Sequence, residues 1–455
     1  MFRRALTPPR LLLGSFFTLI AVGTVGLKVL PGLYTGAGLG WIDALFTATS
    51  AVCVTGLIVV DTATYFTPFG QAFLLILIQL GGLGILTFTT LVILAFGRRL
   101  SLHHEAVTTA QTEIAPEVDF RRLVRNIVVF TFLFEAAGAL LLFLVWLPRF
   151  GIGEAAWHAV FQAISAFCNA GFSTFSDSLT AFQQSPFTLG IIILLIVLGG
   201  VGFLVLEELN VRHERRRIGR SMILSLHTKL VLSVTAGLLL VGWIIYTALE
   251  WTNTLGEMPV WAKAANGLFM SVTARTAGFN TVDYAGTADS TNYLTILLMS
   301  IGGSPGSTAG GIKTTTFALL GLLAASRVLG RQITSVQNRS IPEETIQRAV
   351  GLVVGAFAMV TAATFLYAVL QIGATAHSEA PGEFIEYMFE AVSAFNTVGL
   401  SMGVTADLST PSRLLTIVLM YLGRVGPLTF AAAIALERPN SSGEFRYAYE
   451  DVIVG

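Results

Sequence analysis

Charge is scarce in this sequence: 12% of its 455 residues are Asp, Glu, Lys or Arg, against 54% that are apolar. Single-domain soluble enzymes cover their surfaces with about twice that share of charge, so a soluble enzyme is excluded. Cysteine is nearly absent. Cys53 and Cys168 are too few for a disulfide scaffold and lack the neighbours of a metal site. His103, His104, His213 and His227 show no ligand spacing, and no H-E-x-x-H occurs. The 27 basic residues are balanced by 27 acidic ones and form no dense stripe, which leaves nucleic acid without a surface to bind. No A-x-A cleavage signal follows the arginines of residues 1–10, so the apolar run after them reads as a spanning helix rather than a signal peptide.

Long apolar runs are what the chain has instead. Residues 11–30, 69–96, 127–147 and 230–249 carry almost no charge and are long enough to cross a hydrocarbon core of about 30 Å. The chain also repeats. Phe46, Phe161, Phe269 and Phe389 are each followed four positions later by Ser50, Ser165, Thr273 or Ser393, and then by Gly56, Gly171, Gly278 or Gly399. Those glycines lie 115, 107 and 121 residues apart. Each unit therefore reads as long helix, short amphipathic helix, glycine-containing stretch, long helix. Four units are expected, at 1–100, 101–227, 228–340 and 341–455.

The short segments, about fourteen residues each, fall below spanning length and should be re-entrant. Charge placement supports this. With eight spans, 20 of the 27 basic residues fall on one side. Lys28, Arg149, Lys263 and Arg413 fall on the other, and Arg275, Lys313 and Arg424 stay at membrane depth. Spanning short segments would carry the groups at 98–125 and 327–348 across, against the positive-inside rule. The expected fold is an all-α polytopic membrane protein: eight spanning helices and four re-entrant pore helices, pseudo-fourfold about one pore, with both termini cytoplasmic.

Irregular backbone at membrane depth is tolerated only where protein or a watery cavity surrounds it. Four such stretches, Val54-Thr55-Gly56, Asn169-Ala170-Gly171, Thr276-Ala277-Gly278 and Thr397-Val398-Gly399, should therefore meet around the axis. There they would present carbonyls to a dehydrated cation, with the negative ends of the short helices behind them. No side-chain carboxylate is needed. In the closing helices a second glycine cluster recurs: Gly81-Gly-Leu-Gly84, Gly199-Gly-Val-Gly202, Gly302-Gly-Ser-Pro305 and Gly423-Arg-Val-Gly426. The first two read as close helix packing. The third expands to Gly302-Gly303-Ser304-Pro305-Gly306-Ser307-Thr308-Ala309-Gly310-Gly311, too rich in glycine and proline to remain helical. It should break the helix and occlude the path beneath the filter, held by Arg424, with Lys313 pairing locally or snorkelling. Arg275 is expected to clamp a pore-helix carboxylate such as Glu390. Asp43, Asp61, Asp177, Asp283 and Asp407 read as solvated turn residues at the outer mouth, or as a cluster whose field enriches cations there. The run 212–220 would meet anionic headgroups or an acidic protein.

These residues, with Cys53-Val-Thr-Gly56-Leu leading to Val60-Asp61, Ala274-Arg-Thr-Ala-Gly278-Phe-Asn, Phe395-Asn-Thr-Val-Gly399-Leu and Gly423-Arg-Val-Gly-Pro-Leu-Thr429, resemble the Trk/Ktr/HKT potassium transporters over nearly the whole chain. Eight spans without an extra N-terminal pair resemble the KtrB branch more than TrkH. The resemblance implies potassium as substrate, bound by carbonyls of the four filter stretches. Glycine at all four filter positions implies selectivity over sodium. It further implies uptake across the bacterial plasma membrane, sodium as activator and a homodimer in the bilayer. The gate would answer to a separate KtrA-type cytoplasmic ring carrying ATP or ADP. An intramembrane protease is the rival from the enzymes, but Ser173 has no histidine partner in any span, and no catalysis is expected. A two-repeat secondary transporter also uses broken helices, yet four units in parallel order suit a central pore.

Overall fold

The computed structural model describes residues 8–84, 120–219, 223–337, 339–373, 375–376, 378–379 and 381–426. Four helices among them are long and apolar enough to cross a membrane. They are α1 (Pro8–Val29), the first part of α5 (Phe120–Cys168), α8 (Leu226–Leu249) and α12 (Glu343–Tyr367). Each opens one of the expected units. Ser225 starts α8 by accepting the Thr228 amide at 3.2 Å, which satisfies one of the donors a helix leaves free at its first turn.

The re-entrant helices are short, as expected: α2 (Trp41–Val52), α9 (Val260–Thr273) and α13 (Glu383–Phe395). In the second unit no loop separates the spanning and re-entrant parts. Gly151, at φ 75° and ψ 177°, bends α5 between them, a conformation open to glycine alone at little cost. A single turn, α3 (Thr62–Tyr65), follows the first glycine stretch, capped by Asp61.

The closing elements depart from uninterrupted spans. The first, α4 (Pro68–Gly84), is described only to Gly84, and the rest of the apolar run 69–96 lies outside the described residues. The second was expected to be one packed helix. It is two, α6 (Pro186–Val201) and α7 (Phe203–Arg217), bent by 98° at Gly202. Gly202, at φ 95° and ψ 140°, makes the break, and the charged remainder of α7 runs in a new direction. The third is broken as anticipated, into α10 (Asp289–Ser300) and α11 (Thr314–Val328). The fourth is α14 (Thr410–Val425). The all-α expectation also missed a two-residue hairpin, β1 (Ser335–Val336) and β2 (Arg339–Ser340), between α11 and α12.

The apolar cores do not respect unit boundaries. One core joins α1, α2 and α4 to the re-entrant end of α5 and to α12–α14; a second joins α5 and α6 to α9; a third joins α8–α10 to α13. The units consequently close into a ring in sequence order. Large apolar side chains on the outward faces, such as Phe17, Leu133, Ile244 and Phe357, are left for lipid. At the outer rim Lys28 donates to the Leu39 carbonyl at 2.6 Å beside the exposed Trp41 ring. Lys263 donates to the Trp251 carbonyl at 2.7 Å and lies over its ring. Such Lys–Trp pairs suit a headgroup boundary.

Candidate functional site

Each re-entrant helix ends at a residue of left-handed backbone: Val54 (φ 56°), Asn169 (φ 58°), Thr276 (φ 66°) and Thr397 (φ 50°). Two positions on, Gly56, Gly171, Gly278 and Gly399 again have positive φ, between 70° and 94°. The same unusual fold of the chain is thus built four times, at the positions singled out in the sequence.

The repeated hydroxyl residue fastens each stretch to its helix. Ser50 and Ser393 accept the amides of Gly56 and Gly399 at 3.1 Å. Ser165 and Thr273 instead donate to the carbonyls of Phe172 and Phe279, at 2.7 and 2.5 Å. Backbone bonds from the amides of Thr55, Ala170, Ala277 and Val398 back to the helix ends, at 2.8 to 3.0 Å, complete the turn. The four Phe residues of the repeat are fully buried and anchor the helices from behind.

The four glycines meet. A methyl group placed on Gly56 would lie 2.5 Å from the Ala170 carbonyl oxygen, and one on Gly171 would lie 2.9 Å from Gly278 Cα and 3.1 Å from the Ala277 oxygen. On Gly278 it would lie 2.6 Å from the Val398 oxygen, and on Gly399 2.1 Å from the Thr55 oxygen. The contacts run from unit one to two, three, four and back to one, a closed ring of backbone with no room for a side chain. Four helix C-termini stand behind it, each contributing partial negative charge.

A second layer packs beneath. Methyl groups on Gly81, Gly199 and Gly423 would meet the carbonyl oxygens of Val52, Phe167 and Phe395 at 2.0, 2.0 and 1.6 Å. These glycines let each closing helix touch the end of a re-entrant one, so close packing explains them. Gly302, in the third unit, packs on Gly310 of its own loop instead.

The loop 302–311 crosses under the ring. Thr308 reaches unit two: its hydroxyl is 3.2 Å from the Asn169 amide group and from the Phe167 carbonyl. Gly310 abuts the Thr397 hydroxyl and Asn396 of unit four. Units two and four are opposite in the ring, so the loop lies across the axis. Three cations, Arg275 and Arg424 buried and Lys313 half-buried, hold its carbonyls. Arg424 donates to Thr308, Lys313 to Ala309 at 2.7 Å, and Arg275 to Gly302 at 3.1 Å. Of the two options for Lys313, local pairing is the one found. The expected Arg275–Glu390 pair does not form. The fully buried Glu390 accepts from Thr405 at 2.6 Å, while Arg275 spends its donor on the Gly302 carbonyl of the loop.

The outer aspartates are turn and bridging residues. Asp61 accepts from Ala63, Thr64 and, across the unit boundary, Ser176 at 2.6 Å. Burial pushes its carboxyl up, but these hydrogen bonds outweigh that and hold it below the ordinary carboxylate value. Asp43 pairs with Arg413 at 2.6 Å, joining units one and four. Sequence reasoning missed Glu250, fully buried at the end of α8, which accepts from Asn253, Thr254, Thr291 and the Ala288 amide and fixes the start of α10. It also missed Glu135, buried between units one and two against Gln79 at 3.1 Å. Among the described residues no group of three or more His, Cys, Asp or Glu side chains comes together.

Comparison with known proteins gives the same direction. The profile of the family TrkH, "Cation transport protein", matches residues 13–444. The chain is 37% identical to the Ktr system potassium uptake protein B of Vibrio alginolyticus, over 98% of this chain and 95% of that protein. It is 37% identical to the protein of the same name from Bacillus subtilis (strain 168), over 99% and 97%. To the potassium/sodium uptake protein NtpJ of Enterococcus hirae it is 35% identical, over 100% and 98%. Its fold is similar to the crystal structure of the potassium transporter TrkH from Vibrio parahaemolyticus, with TM-score 0.74 at 17% identity, covering 95% of this chain and 86% of the other.

Proposed function

The chain belongs to the TrkH family of cation transport proteins, and from that premise we propose that it carries potassium into the cell through the ring of four glycine stretches. It is a multi-pass protein of the bacterial plasma membrane and a transporter rather than an enzyme. The observation that carries the proposal is the closed ring of backbone contacts among Gly56, Gly171, Gly278 and Gly399. A potassium ion entering a site with no side chains must exchange its water shell for carbonyl oxygens. The filter layers assigned are Val54, Thr55 and Gly56; Asn169, Ala170 and Gly171; Thr276, Ala277 and Gly278; Thr397, Val398 and Gly399. Residues 302–311, with Lys313 and Arg424, form the gate. The loop blocks the path, and Arg424 places a positive charge beneath the filter.

The finer reading follows the Ktr systems that the relatives' names denote. Sodium activates uptake, the chain works as a homodimer, and a separate cytoplasmic ring binding ATP or ADP moves the gate. The test is potassium uptake into liposomes holding the purified chain, with and without sodium, beside Gly278→Ser. Selective uptake degraded by the variant is expected. An equal potassium-over-sodium preference in Gly278→Ser would remove the filter assignment.

A further inference from the structure

The inner end of α6 is tied to the gate loop by bonds that its own helix would otherwise make. The Gly199 carbonyl accepts the Thr308 amide at 3.2 Å, the Gly200 carbonyl accepts the Ser304 amide at 3.0 Å, and the Phe203 amide donates to the Gly306 carbonyl at 2.9 Å. In an unbroken α-helix each amide bonds the carbonyl four residues before it. Phe203 would then bond Gly199, and Leu204 would bond Gly200. The bend at Gly202, φ 95° and ψ 140°, frees these groups for the loop. A straight α6–α7 helix and a docked loop compete for the same donors and acceptors.

We infer that Gly202 is the hinge of the gate: straightening α6 into α7 takes back the Gly199 and Gly200 carbonyls and the Phe203 amide, and releases the loop from beneath the ring. This rests on the potassium-pore reading and deepens it by naming the element that moves the gate. Gly202 serves both states for separate reasons. Its positive φ permits the bend, and the absence of a side chain lets the Pro305 carbonyl oxygen approach, since a methyl group there would lie 2.6 Å from it. The equivalent Gly426 ends α14 in nearly the same conformation, φ 88° and ψ 136°. The glycine conformation therefore recurs in units two and four, and unit two couples it to the loop.

Three contacts hold α7 in the bent position. Val205 and Leu209 pack on Val231 and Leu232 of α8. Glu208 accepts from Ser225 and Thr228 at the start of α8, and Glu207 accepts from Asn126 of α5 at 3.3 Å. The far end of α7, with Arg215, Arg216 and Arg217, is exposed. A force applied to that end acts on the hinge. At the hinge itself, straightening trades three loop bonds for two helix bonds, while the bonds of Arg424, Lys313 and Arg275 to the loop are the further hold that opening must release.

The experiment uses the purified full chain in liposomes. Spin labels at positions 187 and 217, on the outer end of α6 and the far end of α7, lie about 30 Å apart when the helices are bent by 98° and about 45 Å apart when straight, at 1.5 Å of rise per residue. Cys53 and Cys168 are buried and are replaced by Ala in the background used. Gly202→Ala is expected to shift the population to the long distance. It is also expected to raise potassium flux at least about five-fold, the shift that follows from replacing Gly by Ala inside a helix. A long distance without added flux, or no change in either quantity, overturns the hinge. If Gly202→Ala does not fold, Glu208→Ala, which cuts a tether of α7, takes its place: a longer distance together with added flux supports the hinge, and anything less overturns it. Arg424→Ala serves as control. Potassium flux in Arg424→Ala with none gained in Gly202→Ala refutes the hinge and keeps the pore, whereas no potassium flux in any variant refutes the pore.

Discussion

The tightness of the glycine ring differs around the axis, and that difference makes a graded prediction. Replace each filter glycine by Ala, one at a time. To reach an ordinary contact of 3.4 Å, the new methyl must move its nearest neighbour by about 1.3 Å at Gly399, 0.9 Å at Gly56, 0.8 Å at Gly278 and 0.5 Å at Gly171. At the first three the atom displaced is the carbonyl oxygen of the preceding residue in the next unit, a proposed ligand of the ion. At Gly171 it is a Cα, and the Ala277 oxygen is already 3.1 Å away. Backbone strain ranks the same way. Gly171, at φ 70°, is nearest the left-handed well at about 57°, while Gly56 and Gly399, at 94° and 92°, are farthest.

Losing one carbonyl from a cation costs about 1.5–3 kcal/mol, the range for hydrogen bonds to charged groups. If sodium, which fits a collapsed site better, loses none of it, discrimination falls by at most about 10- to 150-fold. The expected order of damage is Gly399→Ala, then Gly56→Ala and Gly278→Ala, then Gly171→Ala. The assay is the potassium-to-sodium permeability ratio in proteoliposomes, with monodisperse protein required of each variant. Gly171→Ala falling as far as Gly399→Ala, or Gly399→Ala keeping the parent ratio, would refute the argument that neighbour-to-neighbour backbone packing sets selectivity.

Arg424→Ala should raise flux in the absence of any cytoplasmic partner, since the loop loses its bond at Thr308 and the path loses a positive charge; flat or lower flux in folded protein would make Arg424 structural. Ser50→Ala leaves the Gly56 amide without its acceptor, at a cost of about 1–3 kcal/mol, and should narrow the gap between melting temperatures measured in potassium and in sodium. For Asp61 the folded value is depressed, so its contribution to stability is present above the unfolded value of about 3.9 and is lost as pH falls through the lower folded value. Melting curves of Asp61→Asn should therefore lack part of the parent's acid-induced loss below about pH 4, and should track the parent's pH dependence above about pH 5.

The repeat was legible in sequence because both of its markers have fixed physical jobs. Phe fills the space behind each re-entrant helix, and Ser or Thr four residues on holds the stretch that follows, so neither varies freely in type. The broken third closing helix was legible for the opposite reason, an excess of residues that no helix tolerates. The bend at Gly202 was not, because Gly199-Gly-Val-Gly202 is also what ordinary close packing requires, and Gly199 does pack that way. The available signal was the last glycine of the cluster, at the same offset in Gly84, Gly202 and Gly426, where packing against a re-entrant helix no longer needs it. Arg275 was assigned a carboxylate because salt-bridge reasoning counts side chains. Its acceptor is a backbone carbonyl, which every residue carries and which sequence does not single out.

That choice of acceptor recurs and bears on how the gate moves. Arg275 and Arg424 are buried and Lys313 half-buried, and all three donate to carbonyls of one ten-residue loop. A buried carboxylate would bind each cation so tightly that separating them would leave two uncompensated charges. A carbonyl leaves only the cation to be resolvated. In the proposed opening, the aqueous path takes the place of the withdrawn loop, and water entering it would supply the donors of Arg424 and Lys313 with new acceptors. The cost of breaking the clamp is thereby offset by the opening itself. A loop held by cation–carboxylate pairs would remain shut after the path had filled. One held by cation–carbonyl bonds is stable over a dry path and weakly held over a wet one, which is the behaviour a gate beneath a filter requires.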